Sequence, residues 1–189
     1  TLGGRPTSLP HGWIDHGIIM SATDSGEGEP ERTARFLRER LPGTPAPGTL
    51  WTGAEGLVIA GDCWGDPRGQ HIYLLHGGGQ TRHSWKDTGE RLGDLGYFAV
   101  SYDARGHGDS DRAADRSHYT TDLMIEDLVS VARALDSAPP VLIGASMGGI
   151  CSMIAVGERH MEASALVLVD IAPVIEAAGD VAMAFTKNK

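Results

Sequence analysis

Cysteine is nearly absent from this sequence. Of its 189 residues only Cys63 and Cys151 are cysteine, with no CxxC spacing and no histidine cluster beside either. That excludes a disulfide scaffold and argues against zinc, so both are expected to be ordinary, partly buried thiols. Lysine is almost as scarce. Lys86, Lys187 and Lys189 are the whole set, no basic run occurs, and 16 basic against 25 acidic side chains leave a formal net charge of −9. Nucleic acid and anionic membrane surfaces are bound through clustered Lys and Arg, so neither is an expected partner. Long apolar runs are missing too: none approaches the roughly 20 residues that span a bilayer, and the most apolar one, 165–169, stops at Asp170. The chain opens on Thr1 without a basic-then-apolar leader, from which a cytoplasmic location is expected.

What is present suits a soluble globular domain, with 41% hydrophobic and 22% charged residues in a length able to bury its own core. The first fifty residues hold six of the ten prolines and sustain no period, so 1–49 reads as an irregular arm. Within it, Ala34, Leu37 and Leu41 at helical spacing predict a short helix over 31–41, closed by Pro42-Gly43. From residue 50 short apolar strands alternate with amphipathic helices. Strands are expected at 57–60, 71–75, 97–102, 140–143 and 165–169, and helices at 84–95, 121–135 and 147–158. The first two strands, joined by the turn-rich stretch 61–70, are expected to be neighbours. This alternation is the mark of an α/β fold with a mostly parallel, doubly wound sheet, whose functional loops gather at the C-terminal ends of its strands.

Gly144-Ala145-Ser146-Met147-Gly148 fits the pattern G-x-S-x-G. Composition alone supplies roughly 0.2 such matches in a chain like this, so the pattern means little until it is placed. Its place is directly after one predicted strand and directly before a helix, the setting of a nucleophile elbow, in which a tight turn lifts a serine hydroxyl above the sheet. The Met147 N–H, at the positive end of that helix, would face negative charge forming on a substrate oxygen. A helix-capping serine between packing glycines is the plainer reading. After strand 71–75 comes His76-Gly77-Gly78-Gly79-Gln80, where successive glycines let backbone N–H groups turn inward. Gly78 is the first choice of oxyanion donor and Gly79 the next, and His76 and Gly79 are expected near the substrate.

With these motifs in hand the chain resembles the α/β-hydrolase superfamily. The resemblance rests on His76-Gly77-Gly78-Gly79, on 103–110 (Asp-Ala-Arg-Gly-His-Gly-Asp-Ser), on 144–149 and on 166–173 (Leu-Val-Leu-Val-Asp-Ile-Ala-Pro), and covers about 50–175. It is nearest to the bacterial esterase, non-haem haloperoxidase and epoxide-hydrolase-like branch. Epoxide hydrolases of that fold usually carry Asp where this chain has Ser146. The resemblance therefore implies an ester, thioester, lactone or carbon–carbon hydrolase acting on a small molecule through Ser146, with Met147 and Gly78 N–H groups as oxyanion donors and no metal or organic cofactor.

A serine nucleophile needs a base and an orienting acid. The resemblance places the acid after the next strand, where Asp170 stands, though a carboxylate bonded to loop backbone is an equal reading of it, and the histidine after the last. None of the eight histidines follows residue 160. In the family the histidine at the position of His76 is structural; His107 is expected to bond backbone and Asp103 to shape a turn, while His83 and His118 could face the cleft from their loops. The fold is accordingly expected to be an incomplete hydrolase core, with 176–189 the start of a cap or tail and a further chain segment or subunit completing it. The alternative is a binding protein that keeps the pocket without chemistry.

Overall fold

The structure, a computed structural model, describes residues 44–136 and 138–171. The helix expected over 31–41, most of the arm and the tail over 176–189 lie outside the described residues. The described chain runs through β1 (Thr49–Thr52), β2 (Val58–Trp64), β3 (His71–Leu75), α1 (Lys86–Asp94), β4 (Phe98–Tyr102), α2 (Thr121–Ala134), β5 (Val141–Ala145), α3 (Met147–Gly157) and β6 (Ala165–Val169). One six-stranded sheet results, in the order β1-β2-β4-β3-β5-β6. β1–β2 and β2–β4 are antiparallel, and every pairing from β4 to β6 is parallel.

Two expectations are corrected. β2 and β3 are not neighbours, because β4 lies between them. Nor does β2 end before Gly61: it continues to Trp64, and Gly61 serves packing instead of a turn, since a Cβ there would meet the Trp51 ring at 2.3 Å and the Ser101 carbonyl at 2.6 Å. The helix expected over 84–95 begins as the 3-10 turn Arg82–Trp85 and becomes regular only at Lys86.

Strands β3 and β4 are buried along their whole length, as parallel strands covered on both faces must be. Alternate side chains feed two clusters. Tyr73, Val100 and Leu142 meet Ile125, Leu128 and Val131 of α2 and Cys151 and Ala155 of α3 on one face. Ile72, Leu74 and Ala99 meet Leu92 of α1 with Trp64 and Trp85 on the other. Each fully buried Leu, Ile or Val contributes about 1.5–3 kcal/mol. Helix α2 starts where Thr120 Oγ1 accepts the Leu123 N–H at 3.3 Å, with Asp122 in its first turn and Arg133 in its last, as the helix dipole favours. Among the described residues no helix is long and apolar enough to cross a membrane.

This topology positions the site. After β3 the chain passes to β4 on one side, then returns to place β5 on the other side of β3. The helix following β3 lies on one face and that following β5 on the opposite face, so the two loops part and leave a crevice at the carboxyl ends of β3 and β5. Such a reversal point is where open α/β sheets bind ligands.

Candidate active site

In register, Leu75 pairs with Gly144 and Ala145 with Val169. Gly77, Ser146 and Asp170 are therefore level with one another just beyond three adjacent strand ends. Ser146 has φ 43 and ψ −109, a backbone conformation that costs a non-glycine residue on the order of 1–3 kcal/mol. Its surroundings impose it. The Ser146 N–H donates to the Val169 carbonyl at 3.0 Å, its carbonyl accepts the Ile150 N–H at 2.9 Å, and Gly148 N–H donates to the His76 carbonyl at 3.2 Å. Only glycine fits on either side: a Cβ at 144 would sit 2.5 Å from the Gly148 carbonyl oxygen, and one at 148 would sit 2.5 Å from that of Leu75. The serine is exposed, does not cap the helix with its side chain, and has no hydroxyl partner among the described residues.

Facing it is a four-residue turn, 77–80, closed by the Gln80 N–H on the Gly77 carbonyl at 3.1 Å, with Gly79 at φ 73. Gly77 is buried against Ser146: a Cβ there would lie 3.5 Å from the serine Cβ. Gly78 and Gly79 are exposed, and neither the Gly78 N–H nor the Met147 N–H has an acceptor among the described residues. An exposed hydroxyl beside unengaged backbone donors is an arrangement able to attack a carbonyl carbon and receive charge on its oxygen.

His76 is buried with both ring nitrogens occupied. Nδ1–H donates to the Gly77 carbonyl at 2.8 Å and Nε2 accepts the Ala104 N–H at 3.0 Å, which makes the ring neutral. Burial pushes its pKa below the usual histidine value, against the pull of the Gly77 carbonyl. It lines a small cavity under the Ser146 turn with Leu75, Tyr102, Met147, Gly148 and Cys151. Cys151 is a free thiol that burial raises to about 11, and Cys63, also free, is raised by burial to about 12. The His107 ring centre lies 5.1 Å from that of His76, the two rings tilted at 57°, and His107 Nδ1 bonds the Arg105 carbonyl at 3.2 Å. His118 is not aimed at the cleft, because its Nδ1 is tied to Glu55 Oε1 at 2.6 Å. His83 is half-buried, with no ring partner among the described residues. Asp170 is exposed at φ 56, so it too leaves its strand in a left-handed conformation.

Sequence reasoning missed two buried arginines that hold these loops. Arg82, 1% exposed, donates its backbone N–H to Asp103 Oδ1 at 2.7 Å. Its guanidinium reaches Asp103 Oδ2 at 2.5 Å, Asp62 at 2.8 Å and Asp109 at 2.9 Å. Asp103 accepts the Asp109 N–H as well, so it shapes its turn as expected. Arg105, fully buried, forks onto Asp127 at 2.7 and 2.9 Å and reaches Glu55 at 3.1 Å. Burial drives the Asp127 carboxyl up, while the Arg105 bonds draw it down. Arg105 lay inside a recognised motif, but nothing local in the sequence pairs it with a carboxylate 22 residues away.

A family model described as the alpha/beta hydrolase fold matches residues 70–187. Similar proteins include an esterase of Mycobacterium tuberculosis, 34% identical over 110 residues, which are 58% of this chain and 35% of that protein. A non-heme chloroperoxidase of Kitasatospora aureofaciens is 32% identical over 53% of this chain and 35% of its own length. An sn-1-specific diacylglycerol lipase of Mus musculus is 33% identical over 58% of this chain and 35% of its own length. The chain thus spans about a third of the length of these relatives. In structure it superposes on the epoxide hydrolase of Vigna radiata with a TM-score of 0.61 and 24% identity, covering 65% of this chain and 39% of that one, a likeness of fold.

Proposed function

The chain belongs to the alpha/beta hydrolase fold family, and from that premise we propose that it is the serine-bearing part of a hydrolase acting on small ester-like carbonyl substrates. The observation that carries this reading is the backbone of Ser146, held at φ 43 at the amino end of α3 with its hydroxyl exposed and unbonded among the described residues. Ser146 Oγ attacks the substrate carbonyl. The Met147 and Gly78 N–H groups, helped by the positive end of α3, hold the oxygen as it becomes anionic. The alcohol then leaves, and water releases the acyl group from the serine. An esterase and a lipase among the relatives support this class of substrate.

The base is assigned to a histidine outside the described residues, because no described imidazole bonds the Ser146 hydroxyl and His76 has no ring nitrogen to spare. Asp170, level with Ser146 just past the end of β6, is the acid best placed to orient it. The absence of a partner on Ser146 Oγ among the described residues also favours a second reading, a binding protein without turnover. A fluorophosphonate probe with p-nitrophenyl ester turnover separates the two. The hydrolase reading expects labelling at Ser146 and, in Ser146→Ala, a fall of at least about a thousandfold in turnover. Equal rates in the two proteins would sink it.

A further inference from the structure

The Gly78 N–H can serve a substrate only if it points into the crevice, and its direction is set one residue earlier. The Gly77 carbonyl and the Gly78 N–H belong to the same planar trans peptide, so fixing one aims the other the opposite way. Two donors pin that carbonyl: His76 Nδ1–H at 2.8 Å and the Gln80 N–H at 3.1 Å. The Gly77 N–H, on the other side of the same α-carbon, donates to Gln80 Oε1 at 3.0 Å. Gly77 is thereby held through both its peptide groups. Glycine needs such holding, since its φ and ψ are otherwise nearly free, and a Cβ at 78 or 79 would meet nothing within 4 Å. The exposed Gln80 side chain otherwise bonds nothing among the described residues.

We propose that Gln80 is a positioning residue for the Ser146 site: its side-chain carbonyl latches the Gly77 N–H, and so keeps the Gly77–Gly78 peptide turned with its N–H toward the substrate oxygen. This rests on the serine-hydrolase reading. Without the latch Gly77 is held only through its carbonyl, by His76 Nδ1–H and the Gln80 N–H, so the glycine has more freedom about its α-carbon and the Gly78 N–H is aimed less narrowly at the substrate oxygen. The loss falls on the transition state more than on substrate binding.

The test compares the wild type, Gln80→Ala and Gln80→Glu in the full chain with whatever segment or subunit completes it, by amide hydrogen exchange at Gly77 and steady-state hydrolysis of p-nitrophenyl acetate. Glutamate keeps the acceptor, so Gly77 stays protected in the wild type and Gln80→Glu and loses protection about tenfold or more in Gln80→Ala. In Gln80→Ala kcat falls about tenfold while KM moves less than about threefold. Equal Gly77 exchange in the wild type and Gln80→Ala overturns the latch whatever the activity. Lost protection with unchanged kcat overturns its positioning role. A wild type that neither turns over ester nor takes the fluorophosphonate removes the hydrolase reading and the positioning role with it, an outcome distinct from the others because Gly77 exchange is read without turnover.

Discussion

At Ser146 the ordinary ranking of residues is reversed. Where the native conformation suits both, alanine outdoes glycine by reducing the freedom of the unfolded chain, but φ 43 with ψ −109 is a conformation that glycine adopts without strain and alanine does not. Ser146→Gly is therefore expected to be more stable than Ser146→Ala by about 1 kcal/mol in urea unfolding; the opposite order would mean that the turn carries no strain. His76 is the second residue with a measurable signature. Burial holds its pKa below the unfolded value, so its neutral ring stabilises the fold fully above about pH 6.5, and that share is lost as pH falls through the depressed native value. Between pH 7 and pH 5 the urea midpoint of the wild type should drop further than that of His76→Gln, whereas parallel curves would remove His76 from the acid response.

Among the elements, those whose apolar runs are bounded by clear punctuation were legible. β3 and β6 fall on the expected residues, and α2 and α3 end within one residue of theirs. The far half of β2 is hidden in the sequence because Gly61 and Asp62 resemble turn formers. The Trp51 ring on β1 and the Ser101 carbonyl on β4 explain the glycine, and such contacts between strands have no local signal. The Ser146 turn was readable because its chemistry lies in five consecutive residues, while the arginine clusters join residues tens of positions apart. Their importance can be tested at the contact between α2 and the loop after β4. Asp127→Ala would leave Arg105 buried without its forked partner and should cost about 3–5 kcal/mol in chemical denaturation; a cost under about 1 kcal/mol would show that Glu55 suffices as partner.

At the scale of the whole sheet, the large apolar strand side chains exposed among the described residues are those of β6, where Leu166, Val167 and Val169 are 37, 44 and 41% exposed. An apolar edge of this kind pairs readily with other strands. The 189-residue chain is expected to self-associate at high concentration through this edge, and Val167→Lys to shift its sedimentation toward monomer; an unchanged profile would place the association elsewhere. That same strand supplies the Val169 carbonyl that anchors the Ser146 N–H. The amide of Ser146 is therefore a clock for the edge of the sheet: each fraying of β6 frees it for exchange, and whatever steadies β6 lengthens the time for which the serine keeps its left-handed turn.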